Sequence, residues 1–406
     1  MTTENIQPLA SADLPVLDMN DEAFWQDIYT PLTEAREAAP LARTTDGALY
    51  ALRLDDVEHL LKDPRFVAAD LLAMMGMGSG PVWEWWQRLM FSQSGQAHIR
   101  LRSLVSRAFT TRKIESMRPR IAEIATELLE PAFETGGLDP MRELAHQLPA
   151  EVMSEMLGIP KADRETFKGW TTDLGLAFGA AFDPEVRSRV EQALVELEAY
   201  VHELVKVRRS SPGDDLLSEL LTVEEAGDRL SLQELVDLIE NLMFAGHDTT
   251  RGALGVSFSL LADFPEQMRL VNDDLSLVPS LVEEILRYEA ITMSTARMTS
   301  VDMDFAGYRI DAGTTVGACL PSASRDPRRY DNPDSFDVRR VDVRPPTFGY
   351  GAHFCLGAAL ARAEMQETLR LLLTRCTAVH LESTPQWVPF AHIRRFDQLP
   401  VTLELR

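Results

Sequence analysis

The sequence predicts a mainly α-helical fold with small peripheral β-sheets. Three observations carry this prediction: many stretches with apolar residues every three or four positions, one such stretch of about thirty residues, and few alternating segments. The 406 residues, 45% of them hydrophobic, provide ample material for a large core. Because we see neither a linker nor an internal repeat, we predict one domain over residues 1–406, with an α-rich core and a smaller β-rich region near the N-terminus and around 292–320.

The predicted elements begin with a turn at residues 45–47, a strand over residues 48–53 and a short amphipathic helix over residues 55–62. A second strand region covers residues 303–316, with turns at Gly307 and Gly313, and these are the two strand regions that we predict. Helical spacing of apolar residues recurs over residues 114–133, 142–157, 184–209 and 358–373.

The clearest helix covers residues 232–261. It begins with a capping box, in which Ser231 precedes Glu234 by three residues, and it stops before Pro265. Thirty residues of helix span about 45 Å, which is long enough to cross the molecule. Since this helix is apolar on most faces, we predict that it is buried.

Charge and composition exclude several classes of protein. The formal net charge of −23 argues against nucleic acid as a general partner. No run of eighteen apolar residues is present and the N-terminal segment is polar, so we expect neither a membrane anchor nor a signal peptide. Three cysteines cannot form a disulfide framework, and we therefore expect a cytoplasmic protein.

One cysteine lies in a glycine-rich, aromatic-flanked loop that runs into a predicted helix. Around Cys355 the pattern is Phe-x-x-Gly-x-x-x-Cys-x-Gly, from Phe348 to Gly357. Backbone N–H groups at a helix start stabilise a thiolate, and a thiolate against a flat apolar face suits the axial position of a haem iron. A lone cysteine is more often a buried structural residue, and we expect that role for Cys319 and for Cys376, which lies in a helical run.

A second motif lies midway along the long helix. Ala245 and Gly246 leave room for a flat group to approach the backbone, and Asp248 and Thr249 add a carboxylate and a hydroxyl. Taken alone, the motif also suits a close crossing of two helices with an incidental polar pair. We expect His247 to contact another helix or to be a satisfied core histidine.

Together these motifs resemble the cytochrome P-450 family. The resemblance rests on Phe348, Gly351, Cys355 and Gly357, on residues 245–250, and on the spacings Glu284-x-x-Arg287 and His98-x-x-x-Arg102, and it extends from about Asp55 to the C-terminus. It implies a triangular prism of helices that holds haem between the long central helix and the cysteine-loop helix.

The resemblance also implies roles for individual residues. Cys355 would be the axial thiolate of haem b, and Asp248 and Thr249 would be the catalytic pair that handles oxygen and delivers protons. Glu284 and Arg287 would form a structural ion pair completed by Arg340, with Arg339 as its neighbour. The other implied haem contacts are His98, Arg102, Ala245, Gly246, Arg297, Phe348, Gly349, His353 and Gly357.

The implied substrate is an apolar small molecule, such as a terpenoid, an aromatic hydrocarbon or a sterol-like ring system. A methionine- and tryptophan-rich segment before His98 and several later positions provide the candidate contacts. If His392, Arg394 or Arg395 faces inward, a carboxylate-bearing substrate becomes possible. The candidates are Met74, Met75, Met77, Trp83, Trp86, Leu176, Phe178, Leu242, Met243, Ile291, Met293 and Phe390.

The function implied by the resemblance is a monooxygenase that uses O₂ and takes electrons from an acidic ferredoxin and its NAD(P)H-dependent reductase. Two alternatives remain open: a peroxygenase driven by H₂O₂, and a non-catalytic haem-thiolate module that recruits other proteins. The cluster of Arg100, Arg102, Arg107, Arg112, Lys113, Arg118 and Arg120 is either a solvated helix face or, together with Arg362, a positive patch for the ferredoxin.

Overall fold

A computed structural model of the chain describes residues 7–178, 184–223, 230–341, 343–390 and 392–406. Helices dominate this part of the chain. Among the described residues the α-helices are α1 Glu22–Gln26, α2 Tyr29–Ala38, α3 Leu54–Lys62, α4 Leu71–Met74, α5 Pro81–Arg88, α6 Gly95–Ala108, α7 Thr111–Thr135, α8 Leu148–Leu157, α9 Arg164–Gly175, α10 Pro184–Ser210, α11 Leu216–Val223, α12 Leu232–Asp263, α13 Pro265–Asp273, α14 Val278–Tyr288, α15 Leu320–Ser324 and α16 Ala358–Arg375.

The strands are short and form three small sheets. A six-stranded sheet has the order β2-β3-β4-β10-β7-β5, and two three-stranded sheets have the orders β1-β9-β8 and β11-β12-β6. In the largest sheet β10 pairs parallel with β4 and antiparallel with β7. The strands are β1 Gln7–Pro8, β2 Val16–Leu17, β3 Leu41–Thr44, β4 Leu49–Ala51, β5 Phe66–Ala68, β6 Gly137–Leu138, β7 Ser294–Thr299, β8 Met303–Phe305, β9 Tyr308–Ile310, β10 Thr315–Cys319, β11 Cys376–Leu381 and β12 Val401–Leu405.

Helix α12 organises the core. Its N-terminus has the predicted capping box: Ser231 Oγ accepts from the Glu234 N–H at 3.1 Å, and Glu234 accepts from the Ser231 N–H at 2.7 Å. The helix packs against α8, α9, α10, α14 and α16, so its apolar side chains are buried on most sides. Two smaller apolar clusters lie among the N-terminal strands, β8–β10 and the helices beside them.

The predicted fold class is confirmed, as are the helices that correspond to α3, α7, α10, α12 and α16. The single helix predicted over residues 142–157 is wrong. A π-helical turn over Met141–Ala145 is followed by α8, which begins at Leu148. Pro149 explains the break, because a proline lacks the N–H that a helix interior needs and is tolerated in the first turn.

The prediction of only two strand regions is also wrong. The strands β3, β5, β7, β11 and β12 lie outside both predicted strand segments, although β7 falls within the β-rich region expected around 292–320. Cys376 begins β11 rather than continuing a helix. In β7 the buried residues do not alternate with exposed ones, so the period of two that marks a half-buried strand is missing. Pairing with β10 and β5 makes this segment a strand.

Within the described ranges, every helix is too short or too polar to cross a lipid bilayer.

Candidate active site

The cysteine loop needs glycine at two positions. Gly349 and Gly351 have positive φ values of 66° and 69°, a region that residues with a Cβ rarely adopt. At Gly351 a Cβ would also overlap the carbonyl oxygen of Leu61. The loop closes when the Cys355 N–H donates to the Phe348 carbonyl oxygen at 2.9 Å, and α16 begins three residues after the cysteine. These contacts hold Cys355 just before a helix start.

The sulfur of Cys355 opens into a cavity deep inside the protein. Burial raises the pKa of the thiol. The N–H groups of Gly357 and Ala358 and the guanidinium groups of Arg102 and Arg362 act in the opposite direction. Burial outweighs these contributions, so the free side chain is a neutral thiol, and a positive metal charge at the sulfur would remove its proton.

Helix α12 forms the opposite wall of this cavity. Ala245, Gly246 and Thr249 line it, followed by Thr250 and Ala253. Thr249 Oγ1 donates to the Ala245 carbonyl at 2.9 Å, which orients the hydroxyl without interrupting the helix. The cavity has a volume of about 280 Å³.

Asp248 does not line this cavity. A Cβ on Gly175 of α9 would come within 2.9 Å of its Oδ2. His247 Nδ1 lies 3.5 Å from Oδ1 and Arg251 lies 3.7 Å from it. Burial opposes ionisation, but the bond from His247 and the charges of His247, Arg395 and Arg251 lower the pKa of Asp248 to about 2. The carboxyl is therefore an ionised group held among cations, on the residue next to Thr249 but pointing elsewhere.

His247 lies where a core histidine was expected. It is 3% exposed, and its Nε2 lies 3.1 Å from the His146 carbonyl oxygen, outside α12.

Four basic side chains gather at one edge of the cavity. The rings of His98 and His353 stack with centroids 3.8 Å apart, and both line the cavity with Arg102. Arg297 on β7 is outside the lining but close enough that its charge lowers the pKa of both histidines. Burial is the main cause of these shifts, which bring the pKa of His98 to about 4 and of His353 to about 3.

The low pKa values leave both histidines neutral near pH 7, so the positive charges at this edge are those of Arg102 and Arg297. In the described parts of the chain, none of the four has a carboxylate within ion-pair distance. Arg102 donates to the Phe354 carbonyl, and Arg297 donates to Thr295 Oγ1 and the Ala296 carbonyl. Burial also lowers the pKa of Arg297 to about 10. Buried cations without partners are costly, so this edge suits a ligand that carries negative charge.

Glu284, Arg287 and Arg340 come together as the sequence implied. Arg287 donates two hydrogen bonds of 2.7 Å to Glu284, and Arg340 Nε lies 3.2 Å from Glu284 Oε2. Both members of the central pair are fully buried. Together the two arginines also donate to backbone carbonyls of Ser324, Asp331, Asn332, Pro333 and Ser335.

The set therefore ties the segment before the cysteine loop to α14. Arg339, the neighbouring candidate, does not join it; its backbone N–H donates to Asp337 instead.

The candidate substrate contacts separate into groups. Leu242 and Ile291 line the cavity beside Cys355. Met74, Met75 and Trp86 line a second cavity of about 290 Å³ between α4, the largest sheet and His392. Met243 faces a small space beside His247, and Met77 and Met293 are buried in apolar clusters.

The remaining candidates lie elsewhere. Trp83 donates to Asp70, Leu176 is half-buried at the edge of the main core, and Phe390 is exposed with its ring against Trp25. The side chain of Phe178 lies outside the described residues. Arg394, considered as a carboxylate-binding group, pairs with Glu289 and stacks on Trp387 at 3.9 Å.

Sequence reasoning missed several residues of the cavity wall. Met90 and Phe91 follow α5, Met153 lies on α8, and Asn241 lies one turn before Ala245 on α12. The four-residue spacing from Asn241 to Ala245 and Thr249 is a signal in the sequence that could have identified Asn241. The others depend on how distant segments meet.

Glu364 on α16 is a further residue that was missed. It lines the cavity, is 2% exposed, and its Oε2 has no hydrogen-bond partner among the described residues. Burial raises the pKa of Glu364 to about 8. The carboxyl is therefore mostly neutral at pH 7.

With this geometry in place, comparison with known proteins decides the family. The family model described as Cytochrome P450 matches residues 82–392. The chain belongs to the cytochrome P450 family.

Relatives and solved structures are similar to this P450 over nearly its whole length. Cytochrome P450 107B1 of Saccharopolyspora erythraea is 35% identical over 97% of this chain and 99% of its own length. The 6-deoxyerythronolide B hydroxylase of the same organism is 34% identical over 96% of this chain and 99% of its own length. The crystal structure of CalO2 superposes with a TM-score of 0.90 at 29% identity, covering 96% of this chain and 99% of that one. The chain is accordingly a P450 monooxygenase, and its cofactor is haem with a cysteine thiolate as axial ligand.

The residues around the cavity suit that cofactor. Haem is a flat apolar ring with two carboxylates at one edge and an iron at its centre. The small side chains of Ala245 and Gly246 leave room on one wall, and the Cys355 sulfur faces the space from the other. Arg102 and Arg297, which have no carboxylate partner among the described residues, lie with His98 and His353 at one edge, where carboxylates would balance the two arginines.

Proposed function

We propose that Cys355 is the axial thiolate and that the chain oxidises an apolar small molecule with electrons from a ferredoxin and its NAD(P)H-dependent reductase. The observation that supports this best is the position of the Cys355 sulfur, which opens into the cavity opposite Thr249. Bound haem supplies the oxygen-activating chemistry, and a thiolate ligand favours O–O cleavage.

The other residues have supporting roles in this proposal. His98, Arg102, Arg297 and His353 would bind the haem carboxylates, and those carboxylates would balance the charges of the two arginines. Gly349 and Gly351 let the cysteine loop make its turn, because their positive φ values suit glycine. The Glu284 set holds the segment that leads into this loop.

Thr249 and Asp248 have different roles in the proposed proton transfer. The Thr249 hydroxyl lies in the cavity wall and holds a proton toward the Ala245 carbonyl, from which rotation about one bond would turn it into the cavity. Asp248 lies on the side of α12 that carries Arg251 and His247, and we propose that it relays protons from that side to Thr249. Holding both groups on adjacent residues of one helix keeps that path short.

The apolar wall supports the proposed class of substrate. Met90, Phe91, Met153, Leu242 and Ile291 surround the space beside Thr249, and such a wall favours ligands with apolar surface. The retained pair of Asp248 and Thr249 favours use of O₂ over the peroxygenase alternative.

The test is the Soret band of the reduced carbon monoxide complex. Cys355→Ala should lose the strongly red-shifted band that a thiolate ligand produces, because the variant has no thiolate at the cavity. Cys319→Ala removes a buried cysteine of β10 and is the matched control, which should keep the band. A Cys355→Ala protein that keeps the red-shifted band would disprove the assignment.

A further inference from the structure

Asn241 places a polar amide in an otherwise apolar wall. It lies on α12 four residues before Ala245, on the same face of the helix. The residue is 5% exposed and lines the cavity between Met90, Phe91 and Leu242. A buried amide in such surroundings needs hydrogen-bond partners, because an unpaired one is costly.

One half of the amide has its partner. The Met90 N–H donates to Asn241 Oδ1 at 3.0 Å. A backbone N–H can only donate, so this contact determines which end of the amide is the oxygen and turns the NH₂ group the other way. The segment that carries Met90 and Phe91 is thereby attached to α12.

The other half of the amide is open to the cavity. Among the described residues, no acceptor lies within hydrogen-bond distance of Asn241 Nδ2. Asn241 Nδ2 has no partner in the described part of the chain, yet it is absent from the set of fully buried polar atoms without one. The nitrogen therefore keeps accessible surface in the cavity wall. A donor of fixed direction therefore points into the space that the substrate would occupy.

We propose that Asn241 determines specificity by donating a hydrogen bond from Nδ2 to an oxygen acceptor of the substrate. The inference rests on the proposed function and narrows its substrate class to an apolar skeleton with a carbonyl, ether or hydroxyl oxygen. Thr249 lies eight residues further along the helix, which is about 12 Å along the axis. The acceptor should therefore lie about that far along the helix from the Thr249 end of the cavity.

The preference has a physical basis in the unpaired donor. A purely hydrocarbon ligand would displace water from the amide and leave its N–H groups unsatisfied. A ligand that places an oxygen there restores the hydrogen bond. We expect a difference in affinity of roughly tenfold between two such ligands of equal size.

The experiment uses ligands that anchor themselves to the haem iron. Two series of N-alkylimidazoles of increasing chain length are titrated into the purified holoprotein, one ending in an ethyl group and the other in a methoxy group of similar size, whose oxygen can only accept. Binding is followed by the red shift of the Soret band that nitrogen ligation produces. Because the imidazole fixes one end, chain length measures how far away the methoxy oxygen finds a partner.

We expect the methoxy series to bind roughly tenfold tighter at the chain lengths that reach Asn241, and no tighter at shorter lengths. Asn241→Leu should abolish the preference at those lengths. Asn241→Asp keeps an oxygen for the Met90 N–H and removes the donor when ionised, so it should abolish the preference at high pH. Leu242→Ala changes the same wall without touching the amide and should keep the ratio between the two series.

The possible failures are distinguishable. A protein that shows no red shift with any imidazole contradicts the proposed haem-thiolate function itself. A normal red shift with equal affinities for both series at every length overturns the role of Asn241. A preference that survives in Asn241→Leu also overturns it.

Discussion

At the scale of single residues, Asp248 and Thr249 are neighbours that face different surroundings. Thr249 lies in the cavity wall, and Asp248 lies among His247, Arg251 and Arg395. A carboxylate with a pKa of about 2 is a poor proton donor at pH 7. If Asp248 relays protons as proposed, it does so by passing on a proton received from water or from His247.

Removing the Thr249 hydroxyl should uncouple oxygen reduction from substrate oxidation. We expect Thr249→Ala to consume NAD(P)H and release peroxide, with several times less product per NAD(P)H than the parent protein. Ser257→Ala is the matched control, since Ser257 makes the same bond to the residue four before it, at 2.7 Å, but does not line the cavity. Equal coupling in Thr249→Ala and Ser257→Ala would contradict the role of Thr249.

Removing the Asp248 charge should slow turnover by about a hundredfold or more, because a positioned proton-transfer group typically contributes roughly 10²–10⁴-fold. Asp248→Asn keeps the size of the side chain and leaves Arg251 without its nearby carboxylate. Turnover is measured as product formed per haem at saturating ferredoxin. Turnover equal to that of the parent protein would show that protons arrive by another path.

At the scale of elements, α5 is fastened to the first half of α12 by polar contacts. Trp85 Nε1 donates to Glu240 at 2.9 Å, and Arg88 Nε donates to Asp237 at 3.0 Å. Glu240 is 2% exposed, and burial, together with the charges of Asp237 and Glu198, raises its pKa to about 8, against the bond from Trp85 and the charge of Arg88. The residues that follow α5 enter the cavity wall, so this attachment positions part of the substrate site.

The raised pKa of Glu240 predicts how stability depends on pH. Between the ordinary value of 4.5 and about 8, the folded state holds a proton that the unfolded state has released. Stability should therefore fall as pH rises through this window, by up to about 1.4 kcal/mol per pH unit from this group. Glu240→Gln cannot ionise, so its denaturant-unfolding free energy should fall less steeply.

Glu134→Gln, which removes an exposed carboxylate from α7, is the control for that series. Its slope should match that of the parent protein. Glu364→Gln should act in the same direction as Glu240→Gln, because the pKa of Glu364 is raised to about 8 by burial. A Glu240→Gln protein with the parent slope would show that Glu240 is already ionised in the folded state.

At the scale of the whole molecule, the basic cluster is largely paired with the acidic surface around it. Arg100 pairs with Glu234 and Lys113 pairs with Asp214 and Glu219. Arg118 and Arg120 also have carboxylate partners, and Arg102 faces the cavity. The prediction of an open positive patch therefore needs correction: in a chain of net charge −23, nearby carboxylates occupy most of these cations.

Arg112 is the exception, and we propose that it lies in the surface on which an acidic ferredoxin docks. It is exposed at the start of α7, which packs along α16, and it has no ion pair with any described residue. Arg112→Glu should slow reduction by an acidic ferredoxin severalfold at low salt, and the difference should shrink as salt rises, because screening acts within about 10 Å at 0.1 M. Stopped-flow reduction rates measure both effects.

Arg187→Glu makes the same change of charge on the exposed face of α10 and serves as the control. Arg362→Glu is a poorer test, since Arg362 pairs with Glu283 and stacks on Phe348 at 4.3 Å, so its loss disturbs the cysteine loop. Equal reduction rates for Arg112→Glu and the parent protein at low salt would place the docking surface elsewhere.

The sequence by itself determined the features that depend on neighbours in the chain. The capping box at Ser231, the length of α12 and the glycine spacing around Cys355 are local, because they follow from helix geometry and from backbone conformations that only glycine adopts easily. The pairing of Glu284 with Arg287 follows from a spacing of three on one helix. The haem cavity was likewise expected from motifs that each lie within a few residues.

Only the tertiary structure decided what distant segments do to one another. Strand β7 exists because β10 and β5 pair with it, and Asp248 faces cations that come from the C-terminal segment as well as from α12. The amide of Asn241 has a direction because Met90, 151 residues away, donates to its oxygen. Hydrogen bonds and charges of this kind act through space, so their partners cannot be identified from spacing along the chain.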